Sequence, residues 1–120
     1  MKNCKYYLIL LVFSLMSCYE DINDVSITGL ITDSVTEKPL ENVKVSIVCW
    51  RYGNTPDGSY TGQDSVTVIT NKEGEYSHNF KKGAFIEIKT SISGYQNRHE
   101  STDVTTKSNT MDLKLKSNNK

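Results

Sequence analysis

The sequence has no excess of charge of either sign, because 14 lysine and arginine residues balance 14 aspartate and glutamate residues. A protein that binds nucleic acid needs a basic surface to neutralise the backbone phosphates. We therefore expect no nucleic-acid partner.

The 120 residues leave room for a single domain. A domain of this size buries enough surface to fold without a metal or a disulfide framework.

Cysteine is also scarce, with three residues in the chain. Cys4 and Cys18 lie near the N-terminus, and Cys49 alone falls inside the expected domain. This distribution excludes a disulfide framework. A single cysteine in a strand is usually a small buried hydrophobic residue, which is our expectation for Cys49. A reactive or intermolecular thiol is the alternative.

Helical periodicity is the third absence, since no window of the sequence sustains apolar residues at the spacing of a helix. From residue 25 onward, short β-branched runs alternate with turn residues, a pattern typical of a sandwich or a barrel. We therefore predict an all-β domain. Its strands are expected at about seven places, residues 25–32, 43–50, 64–70, 75–80, 84–92, 102–106 and 111–116.

Two of these predictions carry detail. In residues 43–50 the odd-numbered positions are apolar, so they should face the core under the two-residue period of a strand. The strands at 64–70 and 75–80 flank the sequence Asn71-Lys72-Glu73-Gly74. Gly74 can take the positive φ that closes a tight turn, so we predict a hairpin there.

The N-terminal segment is apolar but short. The run from Tyr6 to Met16 is about half of the roughly 20 residues that a membrane-spanning helix needs, so a permanent transmembrane segment is the less favoured interpretation. Lys2 and Lys5 precede the run, which is the layout of a signal peptide. The sequence Leu15-Met16-Ser17-Cys18 resembles the bacterial lipobox. That resemblance implies a lipoprotein signal peptide over residues 1–17 and acylation of Cys18, with palmitate as one of the chains.

Residues 18–24 follow as a lipidated acidic tether. Tyr19 stands where an aspartate would resemble an inner-membrane retention signal, so we predict an outer-membrane location. The pair Glu20-Asp21 resembles the acidic signal that sends lipoproteins of Bacteroides-type bacteria to the cell surface. A solvated linker explains the same residues equally well. Calcium binding is not expected here, because the segment lacks the glycine-turned loop of such sites.

The order of motifs in the domain resembles the carboxypeptidase regulatory-like domain, a transthyretin-like (prealbumin-like, Ig-like) sandwich of about seven strands. The resemblance covers residues 25–116, with a frayed tail expected at 117–120. It rests on Gly29-Leu30-Ile31-Thr32-Asp33, Thr36, Pro39-Leu40-Glu41-Asn42-Val43-Lys44-Val45, Thr70-Asn71-Lys72-Glu73-Gly74-Glu75-Tyr76 and Gly94-Tyr95. Two positions depart from the pattern. Asn71 replaces an aspartate, and Glu37-Lys38 replaces the glycine of the first turn.

This resemblance implies a non-catalytic module that accompanies peptidases, outer-membrane receptors and surface proteins. The residues agree, because the two histidines, His78 and His99, form no catalytic motif and no metal-ligand spacing. His78 shares a strand face with Tyr76 and Phe80, so we expect it to pack rather than to ligate. We predict no enzyme activity, no metal site and no cofactor.

The segment from Trp50 to Tyr60 is the candidate ligand site. Trp50, Tyr52 and Tyr60 occur there with Arg51, Asn54 and Asp57, the mixture that a stacking platform for glycans uses. Alternatively, Trp50 caps the edge of the core while the tyrosines cover neighbouring strands.

Two short motifs, Asp33-Ser34-Val35 and Asp64-Ser65-Val66, resemble an O-glycosylation signal of Bacteroides-type bacteria. Ser34 and Ser65 are the candidate acceptors. Taken together, the sequence predicts a membrane-anchored, non-catalytic interaction or accessory module, with an outer-membrane receptor or a surface protein as its partner. A carbohydrate-binding module and a structural envelope component are the alternatives.

Overall fold

The computed structural model describes residues 20–53 and 58–118. Eight strands form two four-stranded sheets, and no helix occurs within the described part of the chain. The strands are β1 (Ile22–Asp33), β2 (Lys44–Arg51), β3 (Gly62–Ile69), β4 (Glu75–Gly83), β5 (Phe85–Ser91), β6 (His99–Asp103), β7 (Ser108–Thr110) and β8 (Leu113–Leu115). Cys18 lies outside the described residues. Within those residues, we find no helix that is both long and apolar enough to cross a membrane.

The two sheets differ in their strand order. Sheet 1 has the order β4-β1-β7, with β8 also paired to β1, and sheet 2 has the order β3-β2-β5-β6. β1 pairs antiparallel with β4 but parallel with β7 and β8. All pairs in sheet 2 are antiparallel. The predicted all-β sandwich is therefore confirmed, with eight strands rather than about seven.

The core lies between the sheets and consists of alternate residues from both. Its fully buried side chains are aliphatic apart from Cys49 and Thr90, and burial of each aliphatic side chain contributes about 1.5–3 kcal/mol. The predicted inward positions of β2 are confirmed, since its apolar odd-numbered residues are buried. These core residues are Val25, Ile27, Ile31, Val43, Val45, Ile47, Cys49, Ile86, Ile88 and Leu115.

β1 begins before the predicted start of the domain at residue 25. Ile22 already pairs with Gly83 and packs against the core. Between Ile22 and Val25 the inward face shifts by one residue, because Asp24 takes a φ of 57° and interrupts the two-residue alternation. Part of the predicted acidic tether therefore belongs to the sandwich.

The turn Asn71–Gly74 forms as predicted, but the hairpin does not. Gly74 has a φ of 74°, and Asn71 Oδ1 accepts the N–H groups of Glu73 and Glu75. However, β3 pairs with β2 and β4 pairs with β1, so the turn joins the two sheets. The buried Thr70 lies at the crossing. Its hydroxyl donates to Leu40 O and accepts Val43 N–H, which directs the chain from one sheet to the other.

The predicted strand at 102–106 is also replaced by two strands in different sheets. β6 belongs to sheet 2 and β7 to sheet 1. Val104 is buried, and its N–H donates to Ala84 O, so the chain leaves the edge of sheet 2 at this residue. The C-terminal segment returns to the other end of the sandwich. Ser117 bridges Tyr95, and Asn118 N–H donates to Gly94 O, so the first two residues of the predicted tail contact the sandwich.

Candidate functional site

Four aromatic rings gather at one end of sheet 2, on its outer face. Trp50 follows the inward-facing Cys49 on β2, so its side chain points away from the core, and its partner on β5 is Phe85. The Tyr60 ring lies 6.0 Å from the Trp50 ring and 6.0 Å from the Phe85 ring, measured between centroids. Tyr52 stacks on Tyr60 at 5.0 Å. We call these four residues the aromatic cluster.

The cluster is accessible from solvent. Tyr60 is 40% exposed, and the other three rings are half-buried. Partial burial, the Tyr52 side chain and the negative charges of Asp103 and Glu87 raise the pKa of Tyr60. The phenol is therefore neutral at physiological pH and can act as a hydrogen-bond donor. Rings with an apolar face and a polar tip are suited to contact with surfaces that are part apolar and part polar.

Backbone hydrogen bonds hold the segments that carry the two tyrosines. Thr61 N–H donates to Arg51 O over 2.8 Å, and the Thr61 hydroxyl donates to Tyr52 O over 3.0 Å. Gly53 takes a φ of 67°, which few other residues adopt without strain. The chain can therefore turn immediately after Tyr52 and leave its ring stacked against Tyr60.

A carboxylate from the N-terminal segment completes this support. Asp21 Oδ1 accepts the N–H of Tyr52 over 2.8 Å, and Asp21 Oδ2 accepts the N–H of Gly53 over 3.1 Å. Both contacts cross about thirty residues of sequence. Asp21 therefore joins the predicted tether directly to the aromatic cluster.

The structure brings together Trp50, Tyr52 and Tyr60, and the arrangement combines parts of the two interpretations. Trp50 lies on the outer face and does not cap the core. Tyr60 lies against Trp50 and Phe85 on the neighbouring strands β2 and β5, and Tyr52 stacks on Tyr60. Phe85 was missed, because its proximity to Trp50 depends on the register between β2 and β5.

The polar residues expected beside the rings have different positions. Arg51 alternates with Trp50 and lies near Asp64, with 3.4 Å between Arg51 Nε and Asp64 Oδ2. Its Nε is buried and makes no hydrogen bond. Asn54 and Asp57 lie outside the described residues. Within the described chain, the site is therefore defined by aromatic rings rather than by a ring of polar groups.

Two shallow grooves lie elsewhere on the sandwich. One, of about 450 Å³, follows the open side between the edges of β3 and β4, where His78 packs against Phe80 at 4.7 Å between ring centroids. The expected packed histidine is thus confirmed. The other groove, of about 700 Å³, is lined by residues of sheet 1 and by the end of β3 in sheet 2, with Leu30 of β1 and Ile69 of β3 among them. Both are open to solvent.

Outside the aromatic cluster, burial raises the pKa values of two groups that serve the fold, Cys49 and Tyr76. Burial raises the pKa of the Cys49 thiol to about 11, in keeping with the predicted buried cysteine. Burial also raises the pKa of Tyr76, whose hydroxyl donates to Met111 O. Across residues 20–53 and 58–118, no group of three or more His, Cys, Asp and Glu side chains could hold a metal ion.

The two candidate acceptor serines are both exposed. Ser34 lies in the turn that follows β1, and its N–H donates to Leu115 O. Ser65 lies within the edge strand β3, opposite Val48 of β2. The histidine His99 is exposed on the other edge strand of the same sheet, β6.

Comparison with known proteins shows the fold. No protein family and no curated protein matches the sequence. Among solved structures, catechol 1,2-dioxygenase from an Acinetobacter species superposes with a TM-score of 0.59 at 15% identity, covering 79% of this chain and 53% of that protein. 3-Chlorocatechol 1,2-dioxygenase from Rhodococcus opacus superposes with a TM-score of 0.63 at 10% identity, covering 85% of this chain and 62% of that protein. A streptococcal ancillary pilin superposes with a TM-score of 0.60 at 13% identity, covering 82% of this chain and 31% of that protein.

These similarities concern part of each larger protein. The chain spans about half the length of the first dioxygenase and about a third of the pilin. At such low identity, the shared feature is the two-layered β-sandwich itself. The fold is that of an Ig-like or transthyretin-like sandwich, as the sequence predicted.

Proposed function

We propose that this chain is a lipid-anchored protein of the bacterial outer membrane whose sandwich contacts a partner and catalyses no reaction. The observation that carries the proposal is the aromatic cluster on the outer face of sheet 2. A domain of this size has its core between the sheets, so four rings gathered outside that core form a surface suited to contact.

The anchor in this proposal is Cys18, acylated after removal of residues 1–17. Its support is the lipobox-like sequence behind a basic start and an apolar run. Two or more acyl chains, palmitate among them, hold a small domain on a membrane almost irreversibly. Tyr19 favours the outer membrane, and Glu20-Asp21 favours export to the cell surface.

The domain in this proposal is a member of the carboxypeptidase regulatory-like group. Its two departures from that group's pattern are compatible with the turns observed. Asn71 accepts two N–H groups through its side-chain oxygen, which is the task of an aspartate in such a turn. Glu37 takes a φ of 61°, the conformation for which a glycine is favoured.

The partner in this proposal is an outer-membrane receptor or another surface protein. A structural component of the envelope would use the same anchor without a specific partner. Pull-down from native outer membranes separates the two. A receptor captured by the wild type but lost with Leu30→Ser/Ile69→Ser or with Tyr52→Ser/Tyr60→Ser supports the interaction module and identifies the face used. Capture of no specific protein by the wild type contradicts it.

Carbohydrate binding is the second candidate. The gathering of Trp50, Tyr52 and Tyr60 favours it, whereas the stacking of Tyr60 on Tyr52 covers one face of each of these two rings. Trp50 is the one tryptophan in the sequence, so its fluorescence reports on the site directly. A saturable change in emission on addition of a glycan, lost in Tyr60→Ser, would favour this candidate over a protein partner.

The anchor is tested by metabolic labelling with palmitate in a bacterium of the Bacteroides type. We expect incorporation into the wild type and none into Cys18→Ala. Cys4→Ala is the matched control, since this second N-terminal cysteine lies in the segment that processing removes. Labelling that persists in Cys18→Ala would refute the proposed anchor.

Modification of Ser34 and Ser65 belongs to the same proposal, and intact-mass measurement of the native protein tests it. Both hydroxyl groups belong to exposed residues. We expect a glycan mass that disappears in Ser34→Ala/Ser65→Ala. Ser101→Ala is a suitable control, because Ser101 is also exposed on an edge strand but is not preceded by aspartate.

A further inference from the structure

The aromatic cluster lies at the same end of the sandwich as the start of the described chain. Asp21 contacts the backbone of Tyr52 and Gly53, and Tyr52 stacks on Tyr60. Cys18 precedes Asp21 by three residues, a stretch that spans at most about 11 Å even when fully extended. An acylated Cys18 must therefore lie within that reach of the residue that supports the cluster.

From this proximity we propose that the aromatic cluster rests on the lipid bilayer, in the headgroup layer of the membrane that holds the acyl chains. The inference depends on the lipid anchor of the proposed function and adds an orientation to it: the aromatic cluster contacts the membrane, and the groove that contains Leu30 and Ile69 is left for a partner. Tyrosine and tryptophan favour this layer, because their rings enter the apolar region while their polar atoms remain hydrated.

The charges at this end are compatible with such contact. Asp24 pairs with Lys107 at 3.6 Å, and Asp64 pairs with Arg51 at 3.4 Å. Lys81 and Lys82 are exposed at the end of β4 and form no ion pair with any residue the structure describes. They are free to approach anionic headgroups. Glu20, Asp21 and Asp103 also lie at this end, so Lys81 and Lys82 do not make it basic, and the rings should contribute most of the contact.

The orientation of the rest of the domain follows. β1 runs from Ile22 at the aromatic end to Asp33 at the opposite end, a rise of roughly 40 Å for a strand of its length. The turn Asn71–Gly74 and the bridge between Tyr95 and Ser117 lie at the opposite end. The part of the sandwich that projects from the membrane then carries Leu30 and Ile69, the exposed apolar residues of the larger groove.

Trp50 allows a direct test, because it is the single tryptophan and belongs to the cluster. The lipidated protein is purified from membranes and reconstituted into vesicles of phosphatidylcholine and phosphatidylglycerol that contain brominated phosphatidylcholine, which quenches tryptophan by contact. We expect strong quenching of Trp50 in the wild type. In Tyr52→Ser/Tyr60→Ser, quenching should fall by roughly threefold as the two interfacial rings are removed.

Matched variants separate the cause of the quenching. Leu30→Ser/Ile69→Ser changes two exposed apolar residues at the far end and should leave it unchanged. A flexible insert of about ten Gly and Ser residues after Cys18 should also preserve most of the Trp50 quenching, because the rings themselves bind the headgroup layer. Loss of quenching on this insertion would show that the short chain alone brings Trp50 near the lipid, and would overturn the proposal.

Intact-mass measurement on the same sample distinguishes failure of the proposed anchor from failure of the proposed membrane contact. Acylated protein whose Trp50 is not quenched keeps the anchor and refutes the membrane contact. Protein without acyl chains refutes the anchor, and the contact fails with it. An unquenched Trp50 whose emission instead responds to soluble glycans would assign the cluster to sugar binding. Thermal unfolding of each variant confirms that the substitutions leave the sandwich folded.

Discussion

The hydroxyl of Tyr95 donates a hydrogen bond of 2.7 Å to Asp33 Oδ2, and so joins the segment after β5 to the end of β1. Asp33 Oδ1 accepts the N–H groups of Val35 and Thr36 over 2.8 and 2.9 Å. Three donors therefore converge on one carboxylate. They lower the pKa of Asp33 from its ordinary 3.8 to about 2, with the N–H of Thr36 contributing most.

This arrangement predicts sensitivity to acid. Because the pKa is lower in the folded state, the unfolded chain takes up the proton first, and the stabilisation is complete above pH 3.8 and lost as pH falls to about 2. Urea unfolding measured across this window should show a decline that is shallower in Asp33→Asn. Asp103→Asn, which changes an exposed carboxylate in β6, serves as the control. Equal declines in the wild type and Asp33→Asn would contradict the prediction.

Gly83 and Cys49 are predicted to be coupled in the core. A Cβ added at Gly83 would lie 2.1 Å from Cys49 Sγ but 3.9 Å from Cys49 Cβ. Gly83→Ala should therefore destabilise the domain by about 1–3 kcal/mol through overpacking. Removal of the sulfur in Gly83→Ala/Cys49→Ala should recover much of this loss. Chemical denaturation of the wild type, Gly83→Ala, Cys49→Ala and the double variant gives the coupling free energy, and strict additivity would exclude a direct clash.

The Cys49 thiol is predicted to be unreactive in the folded domain. It is fully buried, and burial raises its pKa to about 11, so little thiolate exists at neutral pH. Alkylation with iodoacetamide, followed by mass measurement of the Cys49 peptide, should show slow modification of the native protein and rapid modification in guanidinium chloride. Equally fast labelling in both conditions would mean that the strand opens readily.

The alternation of apolar residues predicted the core well, because a strand places successive side chains on opposite faces whatever its partner. Val45, Ile47, Ile86 and Ile88 are buried for this reason. The sequence does not indicate which strand pairs with which. The sequence Asn71–Gly74 encodes the conformation of a turn, which is equally compatible with strands of one sheet or of two.

The candidate site was predictable in composition but not in arrangement. Trp50, Tyr52 and Tyr60 are close together in the sequence, so they could be named as candidates, but the way their rings stack depends on the tertiary structure. Phe85 joins them through the register of β5 against β2. The sequence predicted Asp21 to be part of a solvated tether. Nothing near it in the sequence indicates that its carboxylate oxygens accept two N–H groups about thirty residues away.

Those two N–H groups give the last prediction. Tyr52 N–H and Gly53 N–H each donate to a different oxygen of Asp21, so amide hydrogen exchange at both positions should be slow in the wild type. In Asp21→Ala both amides should exchange faster, by roughly tenfold for loss of a hydrogen bond to a charged acceptor. Asp21→Asn retains one acceptor oxygen and should protect one of the two. The Thr61 N–H, held by Arg51 O, serves as an internal reference. If the N–H groups of Tyr52 and Gly53 exchanged as fast in the wild type as in Asp21→Ala, the contact between the N-terminal segment and the aromatic cluster would not persist in solution. The orientation inferred for the domain on the membrane would then lose its support.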